Sequence, residues 1–465
     1  MIFVKYKCKK CGFIHDGELP DGYHCPLCRS GLFDFKEMKS DNPDHKYKRV
    51  FVDTNNPGIA RVEEKCINCG ACANTCANLV NIRYKNPKKP ICINCGQCVL
   101  TCPTGALVPK YNYNQVLDLI DDPKKMVVVM TAPAVRVGIG DAFGLKPGEF
   151  AEGKMVSALK ELGFDYVLDV TFGADLTSME EAQELSSRIK TFGSLPMFSS
   201  CCPSWVKYAS IYHPELLPSL STCKSPIGMQ SEIIRKVFIN EKKIKEKNLV
   251  IVALTPCTSK KYEIANTSCD FCLTTSELAL ALRENNIDFK ELKDKQFDKL
   301  IGSSSGTIFG TSGGVTLSTL RTFYYLETGH DLLPEMLLTK NKDFYKEYSV
   351  KIGRKIFKAA VVYKMENLEE LLKIKEEFIF VEVMNCNNGC IGGGGQILMP
   401  IVDMENILSK RSKSLMNKDK TSTIKYPYNN PEIKKLYKEF LTNPGSKLAK
   451  ELLHTTHENL SKFYK

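Results

Sequence analysis

FIFVEVMNCNNGCIGGGG, residues 378–395, decides the reading of the fold. An apolar run of strand length ends at Cys386, a short turn follows, and Cys390 introduces four consecutive glycines. Three other stretches share the first half of that pattern. MVVVMTAPAVR (126–136) breaks at Ala132-Pro133, PMFSSCC (196–202) ends in Cys201-Cys202, and LVIVALTPC (249–257) ends in Cys257. From about residue 112 such runs alternate with helical segments, the mark of an α/β domain with largely parallel sheets. Ligands of open α/β sheets gather beyond the carboxyl ends of the strands, so these tips are expected to converge on one site. Cys202, Cys257, Cys386 and Cys390 supply the four thiolates that a 4Fe-4S cluster takes. One such cysteine alone would read as a small core hydrophobe; four at strand tips read as ligands. Gly392 to Gly395 are expected to let the backbone approach a bulky cofactor closely, with a flexible loop as the plainer alternative.

The chain holds 20 cysteines in 465 residues. Its first residues show no charged-then-apolar export signal, so the expected compartment is the cytoplasm, where cysteines argue for metal rather than disulfides. Cys8-x2-Cys11 and Cys25-x2-Cys28 give a tetrahedral sulfur site for zinc or a single iron. The surrounding YKCKKCGFIHDG and PDGYHCPLC resemble a short rubredoxin, which implies iron and an electron entry or exit point in a domain spanning 1–38. A zinc ribbon is the purely structural alternative. Residues 39–57 are polar and read as a linker. Over 58–111 two runs follow, Cys66-x2-Cys69-x2-Cys72-x3-Cys76 and Cys92-x2-Cys95-x2-Cys98-x3-Cys102-Pro103. This is bacterial ferredoxin spacing, in which the fourth cysteine of each run ligates the other cluster. One 4Fe-4S cluster is expected on Cys66, Cys69, Cys72 and Cys102, the second on Cys92, Cys95, Cys98 and Cys76, within a small α+β domain.

The length calls for more than one folding unit. At 43% hydrophobic and 25% charged residues the composition is that of a globular protein, and no apolar stretch approaches the roughly 20 residues of a membrane span. The formal charge of +11 comes from lysines spread along the chain, which disfavours nucleic acid and suits docking of a small acidic electron carrier.

FSSCCPSW, TPCTSKKYE and VEVMNCNNGCIGGGGQ, in that order, resemble the three signatures of the FeFe hydrogenases. The likeness covers nearly all of 58–465, with the catalytic domain over 112–465. It implies an H-cluster: a 4Fe-4S unit on Cys202, Cys257, Cys386 and Cys390, joined through Cys390 to a di-iron unit carrying carbonyl, cyanide and a bridging dithiolate amine. By the same resemblance Lys260 would serve one cyanide, the Ala132-Pro133 backbone and Ser225 the other, and Phe309 and Met384 would pack against the di-iron unit. Cys201, Glu181, Ser221, Glu184 and Arg188 match the family's proton relay. Glu181, Glu184 and Arg188, at i, i+3 and i+7, share one face of a helix expected to begin near Asp175. The implied activity is reversible reduction of protons to dihydrogen, fed by a carrier such as ferredoxin, with dedicated maturation enzymes building the di-iron unit.

Departures from the family pattern also stand out. Thr255 replaces a methionine, Ile227 a glutamine, and Asn385 with Asn387-Asn388 replaces small residues around the last cysteine pair. These are expected to alter hydrogen bonding around the di-iron unit. They also keep two other readings open, a hydrogen-sensing or low-turnover relative and a non-catalytic iron-sulfur scaffold. Cys269-x2-Cys272 reads as structural or weakly redox-active, and Cys223 as a packed thiol.

Overall fold

The computed structural model describes residues 5–10, 14–16, 19–26, 29–38, 49–82 and 92–463. Cys11 and Cys28 lie outside them. Near the N-terminus β1 (Lys5–Cys8) pairs antiparallel with both β2 (Ile14–Asp16) and β3 (Phe35–Met38). Next, β4 (Ile59–Arg61) and β5 (Leu107–Pro109) pair antiparallel and bracket the helices Ala71–Leu79 and Gln97–Leu100. Part of the stretch read as linker is packed rather than free: Val50 and Asn56 are buried, and the Val50 N–H points at Cys72 Sγ at 3.4 Å.

Two sheets build the rest. β6 (Met126–Thr131), β7 (Tyr166–Asp169), β9 (Leu249–Thr255) and β10 (Phe271–Thr274) form an all-parallel sheet in the order β10-β9-β6-β7. All seven residues of β9 are buried, as a central parallel strand covered on both faces requires. The second sheet, β11-β12-β13-β14-β8, is mixed. β8 (Met197–Phe198) and β13 (Lys355–Tyr363) run parallel to β14 (Phe380–Met384). β11 (Leu337–Asn341) and β12 (Lys346–Ile352) form an antiparallel extension. Short turns join β11 to β12 and β12 to β13, and only antiparallel neighbours can be linked that tightly.

The helix Thr171–Lys190 begins four residues before the expected Asp175. Asp169, at the end of β7, accepts the Thr171 N–H at 2.9 Å, so strand passes into helix without a loop. Its residues 171–182 are all buried, because the helices Pro226–Ile233 and Gly314–Thr328 pack against it. Glu181 is therefore turned inward rather than solvated, and Glu184 is only partly buried. Farther on, Leu408 and Leu415 of the helix Met404–Thr421 pack on Ala134, Val137 and Ile391. Each fully buried leucine contributes about 1.5–3 kcal/mol, which fixes this helix over the Cys390 turn. Arg411 of that helix also donates to the Ile391 carbonyl at 2.7 Å. Among the described residues no helix is long and apolar enough to cross a membrane.

The glycine run departs from its expected role. A Cβ on Gly393 would stand 2.3 Å from Pro256 O, and one on Gly394 2.3 Å from Cys95 O. Protein backbone, not a cofactor, occupies the room the missing side chains leave. The run lets the cysteine loop of 92–98 seat directly on the catalytic domain.

Candidate active site

Parallel register places the four strand tips on neighbouring sheet ends. Thr131 of β6 pairs with Leu254 of β9, and Val381 of β14 with Phe198 of β8. Beyond these ends stand Cys257, Cys386, and the turn holding Cys201 and Cys202. Burial, then the nearby Cys202 and Cys390 thiols, push the Cys257 thiol well above its usual range. Cys386 is raised in the same way, by burial and then by Cys257 and Cys202. Cys390 is pushed up to about 12 by burial and Cys202, with Lys260 opposing. None of these four thiols forms a disulfide. Four crowded sulfurs that cannot all ionise alone form a donor set completed by a cationic cluster, and on that ground they fit an iron-sulfur cubane.

A cavity lies on one side of the set. Ala132, Pro133, Ile227, Phe309 and Met384 give it an apolar wall, while Cys201, Thr255, Cys257, Lys260 and Cys390 supply its polar atoms. Lys260 pairs with Glu263 at 2.6 Å and donates to Cys201 O at 3.1 Å. Ser225 stands back from the cavity as the N-cap of the helix Pro226–Ile233, its hydroxyl accepting from the Gly228 N–H. The departures behave differently from expectation. Thr255 lines the cavity, but its hydroxyl is engaged within its own turn, donating to Cys257 O at 3.1 Å and accepting from Cys257 N at 3.2 Å. Asn385 is not on the cavity. Its side chain lies beside Cys95, its Nδ2 lies 4.0 Å from Cys386 Sγ, and its backbone faces Cys202. Asn388 adopts the left-handed region at φ 57°, which asparagine tolerates better than other side chains.

From Cys201 a chain of titratable groups leads outward. Glu181 and Cys201 are electrostatic neighbours. Glu181 is fully buried; burial, then Glu184, raise its carboxyl to about 8. It accepts from Thr319 at 3.3 Å and has Ser221 as a neighbour, while its Oε1 has no partner among the described residues. Ser221 donates to Glu184 at 3.1 Å, and Glu184 pairs with Arg188 at 2.6 Å. Arg188 is tied to the carbonyls of Ser194, Pro218 and Leu220.

Nearer the N-terminus, Cys66, Cys69, Cys72 and Cys102 surround one small cavity. Cys76, Cys92 and Cys95 are the charge neighbours of Cys98. Gln97, which sequence reasoning passed over, donates to Cys386 Sγ at 3.2 Å and to Gly392 O at 2.9 Å, so it ties the second thiol set to the first site. Nothing in the letters around Gln97 signals that reach. Cys8 and Cys25 are buried together with Phe35, and Cys69 packs against them. Cys223 is buried 3.8 Å from Glu184. Cys269 and Cys272 are buried neighbours, the former donating to Phe271 O at 3.1 Å.

The sequence matches the family described as iron-only hydrogenase large subunit, C-terminal domain, over residues 125–394, and the iron hydrogenase small subunit family over 405–459. This chain belongs to the iron-only hydrogenase family. Among its relatives is the NADP-reducing hydrogenase subunit HndD of Solidesulfovibrio fructosivorans, 38% identical over 84% of this chain. The match spans 65% of HndD's own length. Iron hydrogenase 1 of Clostridium pasteurianum is 34% identical over 88% of this chain and 77% of its own length. A solved FeFe-hydrogenase HydA1 variant from Chlamydomonas reinhardtii superposes with a TM-score of 0.67 at 33% identity, covering 75% of this chain and 98% of that one. Cytosolic iron-sulfur assembly component 3 of Mus musculus is a more distant relative, at 27% over 77% of this chain and 81% of its own length. The parallel-sheet core and the cysteine-tipped strands are thus those of the iron-only hydrogenase family.

Proposed function

We propose that this iron-only hydrogenase reduces protons to dihydrogen, and runs the reverse, at an H-cluster held by Cys202, Cys257, Cys386 and Cys390. The observation that carries this reading is the coincidence of an apolar cavity beside Cys390 with a buried acid chain starting at Cys201 on its wall. When bound, the di-iron unit supplies the two-electron redox chemistry, and the protein supplies position, dielectric and protons. Ala132, Pro133, Phe309 and Met384 keep water out. Lys260 offers a fixed positive charge to anionic ligands on the cavity side. Cys201 Sγ holds the proton nearest the cavity; when it leaves, Glu181 replaces it, and Ser221 and Glu184 refill Glu181 in turn.

Electrons would reach this centre through Cys76, Cys92, Cys95 and Cys98, then Cys66, Cys69, Cys72 and Cys102, each set carrying a 4Fe-4S cluster. The head residues Cys8, Cys11, Cys25 and Cys28 would hold one iron as the outer port, for which the packing of Cys69 against Cys8 and Cys25 gives support. A carrier such as ferredoxin is the fitting external partner, and maturation enzymes would install the di-iron unit. The test is dihydrogen evolution by anaerobically matured protein with a reduced carrier. Activity dependent on Cys390 is the expected result, whereas full cluster loading with no dihydrogen in either direction would favour a scaffold role like that of the assembly-component relatives.

A further inference from the structure

The relay as read ends on Arg188, and a guanidinium does not give up a proton near neutral pH. Glu184 itself borders an open cavity with its side chain 12% exposed, and a neighbour of a type that takes up and releases protons stands beside it in the same cavity. Thr222 Oγ1 donates to Glu184 Oε2 at 3.2 Å and lies 2.7 Å from His454 Nδ1. His454 Nε2 in turn stands 3.0 Å from Glu180 Oε2. Glu180 is held by the Tyr437 hydroxyl at 2.6 Å and the Gly445 N–H at 2.9 Å. Glu180, Glu184, Thr222 and His454 all border one cavity of about 760 Å³, and the His454 side chain is 10% exposed.

We propose that His454 is the proton-exchanging terminus of the relay, connected to Glu184 through the Thr222 hydroxyl. This rests on the relay reading above. Imidazole is the side chain whose charge changes between about pH 5 and 8, so it can take protons from water where Arg188 cannot. In the step, protonated His454 gives its Nδ1 proton to Thr222 Oγ1 as the Thr222 hydroxyl proton passes to Glu184 Oε2. Neutral His454 keeps its Nε2 proton on Glu180, and water in the cavity returns the lost one. His454 is a positioning and exchange residue, acting through Glu184 rather than at the reacting atoms. The charged and titratable groups around it are Glu180, Glu184 and Arg188 of the helix Thr171–Lys190, Tyr437, Cys223 and Lys224, Lys450 of the helix Lys447–Leu453 that His454 caps, and His457, which faces Glu184 and Arg188 from the segment that follows. Glu184, Cys223 and His454 also bring their donor atoms within 4.8 Å of one another, a spacing that would admit a metal ion. The Glu184 carboxylate already accepts from Arg188, Ser221 and Thr222, and both nitrogens of His454 are engaged, so the arrangement is a hydrogen-bonded wire.

The experiment compares matured holoenzyme with His454→Ala, Thr222→Val and Glu181→Gln, measuring dihydrogen evolution over about pH 6 to 9 with and without added imidazole. Turnover of His454→Ala should fall by about tenfold or more, most steeply at high pH where protons are scarce, and imidazole entering the cavity should restore it. Thr222→Val, which keeps shape but breaks the wire, should fall without being rescued. Should His454→Ala fail to fold, Thr222→Val carries the test by its pH profile. Parent-like rates and pH profiles in both variants, with Glu181→Gln inactive, would overturn the branch and leave the relay standing. A loss in His454→Ala that imidazole does not relieve would also overturn it. A parent-like Glu181→Gln would remove the relay itself and this terminus with it.

Discussion

Replacing Glu181 by glutamine keeps the shape and the contacts to Ser221 and Thr319 but removes the exchangeable proton. In the parent, the carboxyl is raised to about 8 by burial and by Glu184. At neutral pH it therefore carries its proton most of the time, yet can release it, which suits a relay member. An amide cannot do so. Positioned acid-base groups contribute about 10² to 10⁴ in rate, so turnover should fall at least about a hundredfold while the cofactor stays loaded. A second consequence needs no turnover. Because the folded-state value exceeds the ordinary 4.5, the folded protein binds this proton more tightly than the unfolded chain does. The stability Glu181 contributes is fully present below about pH 4.5 and is lost as pH rises toward about 8. That loss amounts to roughly 4 to 5 kcal/mol at about 1.4 kcal/mol per tenfold change in proton affinity. Glu181→Gln should abolish it, so the variant should gain in melting temperature relative to the parent across that window. Dihydrogen evolution and thermal denaturation against pH are the assays. Parent-like turnover, or an unchanged pH dependence of stability, would refute the reasoning.

Other consequences follow from the junction between the cysteine loop and the catalytic domain. Gly394→Ala would drive a Cβ to 2.3 Å from Cys95 O and 2.5 Å from Gly96 Cα, backbone that cannot swing aside. It should cost about 1–3 kcal/mol and speed hydrogen exchange over 92–98, measured by denaturation and mass spectrometry; a neutral variant would contradict the close seating. Gln97→Leu removes the donor 3.2 Å from Cys386 Sγ, and an amide donor to thiolate sulfur favours the reduced cluster. The midpoint potential should drop by on the order of 40 mV, for about 1 kcal/mol lost, in a spectroscopic redox titration. Asn385→Ala should move the potentials of both adjoining clusters in the same direction, because its side chain lies beside Cys95 and Cys386. An effect confined to carbonyl and cyanide bands would place it on the cavity side instead.

The sequence disclosed those features whose physics is local. Cysteine spacing is dictated by cluster geometry, and the buried parallel strands β6 and β9 show as apolar runs and β14 as one broken only by Glu382, so the tips holding Cys257 and Cys386 could be located in advance. Features set by tertiary approach could not. Gly393 and Gly394 look like room for a ligand until Pro256 and Cys95 are seen filling it. Asn385 and Thr255 look like neighbours of one cofactor face, yet one points between two thiol sets and the other closes its own turn. His454 lies 270 residues beyond Glu184 in the chain, and its hydrogen bond to Thr222 exists only because the C-terminal segment folds back over the helix Thr171–Lys190. The antiparallel half of the second sheet was hidden for another reason: β11 is largely exposed and lysine-bearing, without the apolar run that marks a buried strand.

The most direct measurement on the central claim, a cysteine-anchored di-iron unit in the cavity beside Cys390, is the infrared spectrum of protein matured in the presence of the assembly enzymes. Bands of metal-bound carbonyl and cyanide should appear, and should vanish in Cys390→Ser while the clusters on Cys66 to Cys102 remain detectable by electron paramagnetic resonance. Protein with all its iron-sulfur clusters loaded but no such bands would contradict the account.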